Sequence, residues 1–403
     1  MRDLLLLTYT FPPDNTAAAI RPGQLRHYLP QLGYQPHVVA SSFEGGSNID
    51  PFVHRVPGDH EPRRTAFESR LAAWVMRNLA PYDDRLPWIP YAGRAAADVI
   101  RSRPIDAVFS TSPFLAAHFA ALVLKLRTGL PWIADFQDPI RDNPFRTRRW
   151  FFPYDTIVER LFFRFADRLI ANTDTVAEAW RARYPKLSDK ISVLWNSFDP
   201  REECSIKPRP ERKHRLLAHI GSLYGDRHPA QLLATLERLA IQPSKVRVKL
   251  VGPIEPNLLQ RLQSLFDRAS QKALLEYDNH LVDRAEALKE TGEADYLLLL
   301  DLNAKNASFQ LPSKLLDYVR FGKPVLAYTP KNSPSERILA DSGLTFVAVD
   351  PTEDAKSQDA KVAAFLDLGI EPQIASSQFV EKFSAETQAR IVAGLLDDLL
   401  ERG

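Results

Sequence analysis

The strongest candidate for chemistry in this 403-residue chain is the segment Leu311-Pro312-Ser313-Lys314-Leu315-Leu316-Asp317-Tyr318, followed by Phe321-Gly322-Lys323-Pro324-Val325. Proline is favoured at the first helical position, so Pro312 predicts a helix over Ser313–Phe321. The N–H groups of Ser313, Lys314 and Leu315 would then point outward with the positive end of the dipole behind them, an anion seat that needs no glycine. Lys314 adds a full charge. Asp317, one turn on, is placed to accept hydrogen bonds from a ribose or sugar hydroxyl. A surface ion pair between Lys314 and Asp317 is the competing reading.

A second cluster follows an apolar run: His219-Ile220-Gly221-Ser222-Leu223-Tyr224-Gly225-Asp226-Arg227-His228-Pro229. Gly221 and Gly225 bracket a strand-to-helix turn that ends in Arg227, whose guanidinium can fork onto a phosphate. A turn with a solvated arginine is the alternative. Nearer the start, Ala17-Ala18-Ala19-Ile20-Arg21-Pro22 reads as a small-residue loop with Arg21 at the beginning of the first helix. Asp135-Phe136-Gln137-Asp138-Pro139 sets two carboxylates at the end of a strand, facing a cleft, with a capped turn as the alternative.

The elements that must position these residues show as short apolar runs alternating with amphipathic stretches, the pattern of parallel sheets covered by helices. It occurs twice. Strands are expected near Leu4–Tyr9, His37–Ala40, Ala107–Ser110, Trp132–Asp135, Leu169–Asn172 and Ser192–Leu194. A second series falls near Leu216–Ile220, Val246–Val251, Leu274–Glu276, Tyr296–Leu300, Val325–Ala327 and Phe346–Val349. Helices lie between, among them Gly23–Leu32 and Ala66–Leu79. The division expected is an N-terminal domain over 1–198, a Pro- and charge-rich linker over 199–213, a second domain over 214–382, and a last helix within 383–403 that can pack back on the first domain.

Composition excludes several classes. Lys and Arg number 52 against 50 Asp and Glu, a net charge of +2, so no nucleic-acid partner is expected. One cysteine, Cys204, excludes a disulfide framework and multi-cysteine metal sites. The nine histidines lack ligand spacing and read as surface or satisfied core residues. G-x-G-x-x-G, Walker A, H-E-x-x-H and G-x-S-x-G are all missing, which removes the common dinucleotide, NTPase, zincin and serine-hydrolase readings. With 16 Gly against 31 Pro, phosphate binding cannot rely on a glycine-heavy loop. The run Leu4–Leu7 is too short for a signal peptide, and Phe114–Leu126 is too short to span a bilayer. A cytoplasmic protein, at most peripheral at the inner face of a membrane, is expected.

In sequence order, several segments together resemble a nucleotide-sugar-dependent glycosyltransferase of GT-B architecture, most of all the retaining glycosyltransferase family 4. They are Leu4–Tyr9 with Phe11-Pro12-Pro13 and Arg21; Asp84-Arg85-Leu86-Pro87-Trp88-Ile89-Pro90; Ser110-Thr111-Ser112-Pro113; Asp135–Asp138; Ala166–Asn172; Asn196-Ser197-Phe198-Asp199; Gly221-Ser222-Leu223-Tyr224 with Arg227; and Pro312-Ser313-Lys314. The resemblance implies two α/β Rossmann-like domains with parallel sheets facing a central cleft, the donor held mainly by the second and the acceptor by the first. Arg227 and Lys314 match the basic residues that bind the donor diphosphate. Gly221, Ser222, Tyr224, Ser313, Leu315 and Asp317 complete the expected donor set, and Ala18, Arg21, Ser112, Asp135 and Asn196 the acceptor side. The family's paired glutamates map onto Phe309 and Asp317, so the first is missing and the second shortened. Alanines replace its glycine pair after the first strand, and Gln137 its frequent histidine.

No metal or other cofactor is expected, because Arg227, Lys314 and helix N–H groups can stabilise a departing diphosphate, each charged contact contributing about 1–3 kcal/mol. The resemblance implies same-face attack without a protein nucleophile; from its place at a strand end, Asp138 is the residue expected to orient or deprotonate the acceptor hydroxyl. Interleaved Arg and aromatic residues at Arg146–Phe152 suit an anionic lipid surface and a lipid-linked acceptor, or simply a core with solvated arginines. A nucleotide-sugar 2-epimerase and an inactive sugar-nucleotide-binding subunit remain the alternative functions.

Overall fold

The computed structural model describes residues 1–14, 16–42, 50–58, 85–143, 152–202, 204, 212–302, 309 and 311–401. The expected helix Ala66–Leu79, Asp84 and most of the Arg146–Phe152 patch lie outside these. Strands β1 (Arg2–Thr8), β2 (Tyr34–Ser41), β3 (Val53–Val56), β4 (Ala107–Thr111), β5 (Trp132–Phe136), β6 (Arg168–Ala171) and β7 (Ile191–Val193) form one sheet in the order β3-β2-β1-β4-β5-β6-β7. Strands β8 (Arg215–Ile220), β9 (Val246–Val251), β10 (Leu275–Asp278), β11 (Tyr296–Leu300), β12 (Val325–Tyr328) and β13 (Phe346–Val349) form the other, ordered β10-β9-β8-β11-β12-β13. Every pairing is parallel.

Strands buried on both faces must be apolar throughout, and Leu4–Leu7 and Leu297–Leu300 are so enclosed that none exceeds 2% exposure. In both sheets the order reverses beside the first strand, between β1 and β4 and between β8 and β11. Ligands of open parallel sheets bind at the carboxyl ends of strands at such a reversal.

The first sheet carries α1 (Ala17–Tyr28), α2 (Ile89–Ser102), α3 (Leu115–Thr128), α4 (Phe152–Phe165) and α5 (Asp174–Arg183). The second carries α6 (Ala230–Arg238), α7 (Pro256–Gln271), α8 (Arg284–Glu293), α9 (Lys314–Arg320), α10 (Pro334–Ser342), α11 (Ala355–Leu366) and α12 (Ser377–Phe383). The last helix, α13 (Ala385–Glu401), leaves the second sheet. The chain forms two compact units, Met1–Asp199 with Ser384–Gly403, and Pro200–Phe383.

Helix α13 lays Ala389, Val392 and Leu396 against Leu25, Tyr28 and Leu29 in the first unit's core. Tyr34 Oη donates to Asp397 at 2.5 Å, and the Trp195 N–H donates to Gln388 Oε1 at 2.9 Å. Phe198 and Asp199 are buried in the same unit, where Tyr28 Oη donates to Asp199 at 2.8 Å. The departure from the first unit therefore begins at Pro200.

Two local features differ from the pattern reading. Val53–Val56 is a strand that the apolar runs did not reveal, since a short edge strand with half-exposed His54 and Arg55 breaks the run. Ala17–Pro22, expected as a loop, is the opening of α1: three alanines are strong helix formers and outweigh the proline. Pro22 has no N–H for the carbonyl four residues back, that of Ala18, which instead accepts from Gln137 Nε2 at 3.3 Å.

Candidate functional site

In the second unit, β8 ends at Ile220 and turns at Gly221, whose φ of +132° is open only to glycine. The Ile220 N–H donates to Tyr318 Oη of α9 at 3.0 Å, fixing the strand end against that helix. The Gly221 N–H donates to Val251 O at 2.7 Å, and a Cβ on Gly252 would stand 2.7 Å from the Gly221 carbonyl carbon. Two glycine turns therefore pack directly on each other at the carboxyl ends of β8 and β9. Gly252 carried a legible signal, a glycine directly after the run Val246–Val251, that the motif reading passed over.

Lys314 crosses the open face of Gly221, where a Cβ would lie 2.8 Å from Lys314 Cε. Its Nζ is 3.0 Å from His219 Nε2, and His219 Nδ1 is 2.9 Å from the Leu298 carbonyl oxygen. Lys314 keeps some solvent-accessible surface, yet burial of its amine and the nearby Arg227 push its pKa well below that of a free lysine, against a smaller opposing pull from Asp301. Arg227 is 7% exposed; its Nη1 donates to Tyr224 Oη at 2.6 Å, its guanidinium lies 4.8 Å from the centroid of that ring, and its buried Nε has no hydrogen-bond partner. A guanidinium and an amine gathered at one strand end have the chemistry to receive an anion. Ser222 and Ser313 are half-buried beside it in sequence.

Two expectations for this region change. The Leu315 N–H is spent on the Pro312 carbonyl at 3.0 Å, because α9 opens with a tight turn, so the seat rests on side chains more than on helix amides. Asp317 pairs with Arg284 of α8 and not with Lys314: Arg284 donates to both its oxygens, at 2.5 and 2.7 Å, and also forks onto Glu202 at 3.0 and 2.6 Å. Each Asp317 oxygen retains a second lone pair. His219 is a satisfied core histidine, as expected, but one of its partners is Lys314, and Arg284 and Glu202 carried no motif. Asp301, at the end of β11, accepts from Thr329 Oγ1 at 2.7 Å, and burial pushes its carboxyl up. Phe309 stands half-buried where the family pattern has its first Glu, and Gln310 lies outside the described residues.

In the first unit the candidates meet at the carboxyl ends of β1, β4 and β5, but they face inward. Arg21 Nη1 donates to Asp135 Oδ1 at 2.5 Å, and its Nη2 to Leu194 O at 2.9 Å and Asn196 Oδ1 at 3.0 Å. Asp135 is fully buried and also accepts from Thr111 Oγ1 at 2.6 Å. Burial pushes its carboxyl up, while Arg21 and Thr111 pull it back. This corrects the expectation that Asp135 and Arg21 face a ligand: a carboxylate at the centre of a covered sheet is tolerated only when paired. Ser112 Oγ accepts the Gln137 N–H at 3.1 Å, and Gln137 Nε2 donates to Thr111 Oγ1 at 3.0 Å. Gln137 is thus tied to β4 and, through Ala18, to α1. Asp138, the next residue, is half-buried.

Two parallel sheets with strand order reversed beside the first strand, and a basic seat at the reversal of the second, define an α/β protein of GT-B architecture built from two Rossmann-like units. Residues 16–195, all within the first unit, match the family model described as the glycosyl transferase 4-like domain. Among curated proteins, none matches the chain. Solved structures share the fold over its whole length. The chain is 12% identical to sucrose-phosphate synthase from Thermosynechococcus elongatus, with a TM-score of 0.67 and 100% of each chain covered. It is 14% identical to a glycosyltransferase from Rickettsia africae, with a TM-score of 0.67 and coverage of 100% and 99%. Anabaena HepE, solved in complex with UDP and glucose, is 14% identical with a TM-score of 0.58 and coverage of 100% and 98%. Among the described residues, no helix is long and apolar enough to cross a membrane.

Proposed function

We propose that this chain transfers a sugar from a nucleoside-diphosphate sugar to the hydroxyl of a glycan or lipid-linked glycan in a surface polysaccharide pathway, with retention and without a metal. The observation that carries the reading is Lys314 crossing Gly221 beside buried Arg227, two basic groups gathered where the strand order reverses. The HepE complex, which contains UDP and glucose, supports a nucleotide-sugar donor on this fold.

In this reading the bond between the anomeric carbon and the diphosphate oxygen breaks, and charge gathers on that oxygen. Lys314 and Arg227 are set in place before it develops, so little reorganisation is needed as the bond opens. Asp317, held by Arg284, accepts a ribose hydroxyl through its spare lone pairs. Retention follows from the family resemblance, with the acceptor oxygen attacking on the face the diphosphate leaves and Asp138 orienting or deprotonating it. Exposed Phe152 and Ile157, with Arg160 and Arg164 on the same helix α4, support a peripheral contact with anionic lipid.

A thermal-shift screen against UDP, GDP, ADP and their sugars tests the donor reading. At ligand concentrations 100 times the dissociation constant, stabilisation of about 2.7 kcal/mol is expected. No shift with any nucleotide at millimolar concentration overturns it.

A further inference from the structure

We propose that His219 is a positioning residue for Lys314: by accepting one of its N–H bonds, the imidazole aims the remaining hydrogens of the amine at a bound diphosphate. The inference rests on the donor-site reading above and adds to it a role for a residue that opens the second cluster and was given none in the donor set.

The Leu298 carbonyl can only accept, so His219 Nδ1, 2.9 Å away, carries the proton. A neutral imidazole protonated at Nδ1 has only a lone pair at Nε2. Nζ of Lys314, 3.0 Å from Nε2, must therefore be the donor. The ring does not gain a second proton in the working range, because it is fully buried and faces Lys314 and Arg227, all of which disfavour its charged form. The tautomer is thus fixed by the fold.

Lysine has a flexible four-carbon stem and a rotor of hydrogens, so the charge alone sets no direction. Here the stem lies across Gly221, where any side chain would collide with it, and one hydrogen is taken by His219. Arg227 raises the cost of a charged amine on the ligand side, and a diphosphate there removes that cost. The amine is held by an uncharged acceptor until the anion arrives. A carboxylate at position 219 would instead neutralise Lys314 and compete with the ligand.

Nitrogen-15 histidine NMR on the full chain tests the contact, the His219 signal being the one lost in His219→Gln. The expected result is a neutral Nδ1–H tautomer down to pH 5 whose Nε2 shift moves in Lys314→Ala. Titration near 6.5, the opposite tautomer, or no response to Lys314→Ala overturns the proposal. Binding of inorganic pyrophosphate tests its consequence: His219→Leu should weaken it about tenfold, and His219→Gln, whose amide oxygen can still accept, should recover most of the loss. Wild-type affinity in a folded His219→Leu, with weakened binding in Lys314→Ala, overturns the positioning role while leaving the donor site standing. Wild-type affinity in Lys314→Ala overturns the donor site itself. Should His219→Leu fail to fold, the NMR response to Lys314→Ala decides alone.

Discussion

Lys314 lies across the bare α-carbon of Gly221, so closely that a Cβ there would stand 2.8 Å from Lys314 Cε. Since Gly221 also has φ +132°, Gly221→Ala both strains the turn and displaces the lysine. Turnover and nucleoside-diphosphate affinity are expected to fall roughly tenfold or more, with far-ultraviolet circular dichroism unchanged. Kinetics like those of the wild type would show that Lys314 does not need this path.

Replacing Lys314 by Ala removes an amine aimed at the developing charge. We expect kcat to drop about tenfold or more. Steady-state assays with the donor identified by the nucleotide screen check this, and unchanged kinetics would remove the phosphate assignment. Because two basic side chains take the place of a metal in the proposed reaction, EDTA is expected to leave turnover unaltered, and loss restored by a divalent cation would refute that part.

The buried pair Arg21–Asp135 predicts a stability effect. Arg21→Ala strands Asp135 at the centre of the first sheet, a loss of about 3–5 kcal/mol. For a unit of this size that lowers the melting temperature by on the order of 10 °C. The double change Arg21→Met with Asp135→Leu, which removes both charges, should cost less than the single one, as calorimetry on both variants will show.

His118 gives the first unit an acid sensitivity. It is fully buried against Phe136 and Phe162, with Ser110 Oγ 2.8 Å from Nδ1, and burial pushes its pKa down to about 3. Unfolded, it titrates near 6.5. Between these values only the unfolded chain binds the proton, so stability present above about pH 6.5 is lost progressively as pH falls toward 3. Melting curves at pH 7.5 and 5 should therefore differ more for the wild type than for His118→Gln. Equal differences would place the acid sensitivity elsewhere.

Much of the fold was legible because parallel strands buried on both faces must be apolar throughout. Leu4–Leu7 and Tyr296–Leu300 announce themselves, whereas the half-polar edge strand Val53–Val56 does not. Lys314, Arg227 and Gly221 were legible for a related reason: helix starts and glycine turns are local, and their signals lie within a few residues. Arg21 and Asp135 were legible as candidates but not in their roles. They sit 114 residues apart, and only their meeting shows that each is committed to the other.

The sequence by itself determined two series of buried strands, the position of each basic residue at a strand or helix end, and the resemblance that joins them. The tertiary structure alone decided that His219 meets Lys314 across 95 residues, that Asp317 is held by Arg284, and that α13 returns to the first unit. The physical reason is that periodicity and turn chemistry act over one or two turns of chain. Hydrogen-bond partners of buried groups are chosen by which strands lie side by side, and the order β10-β9-β8-β11-β12-β13, which sets β8 with His219 beside β11, is written in no local stretch of residues.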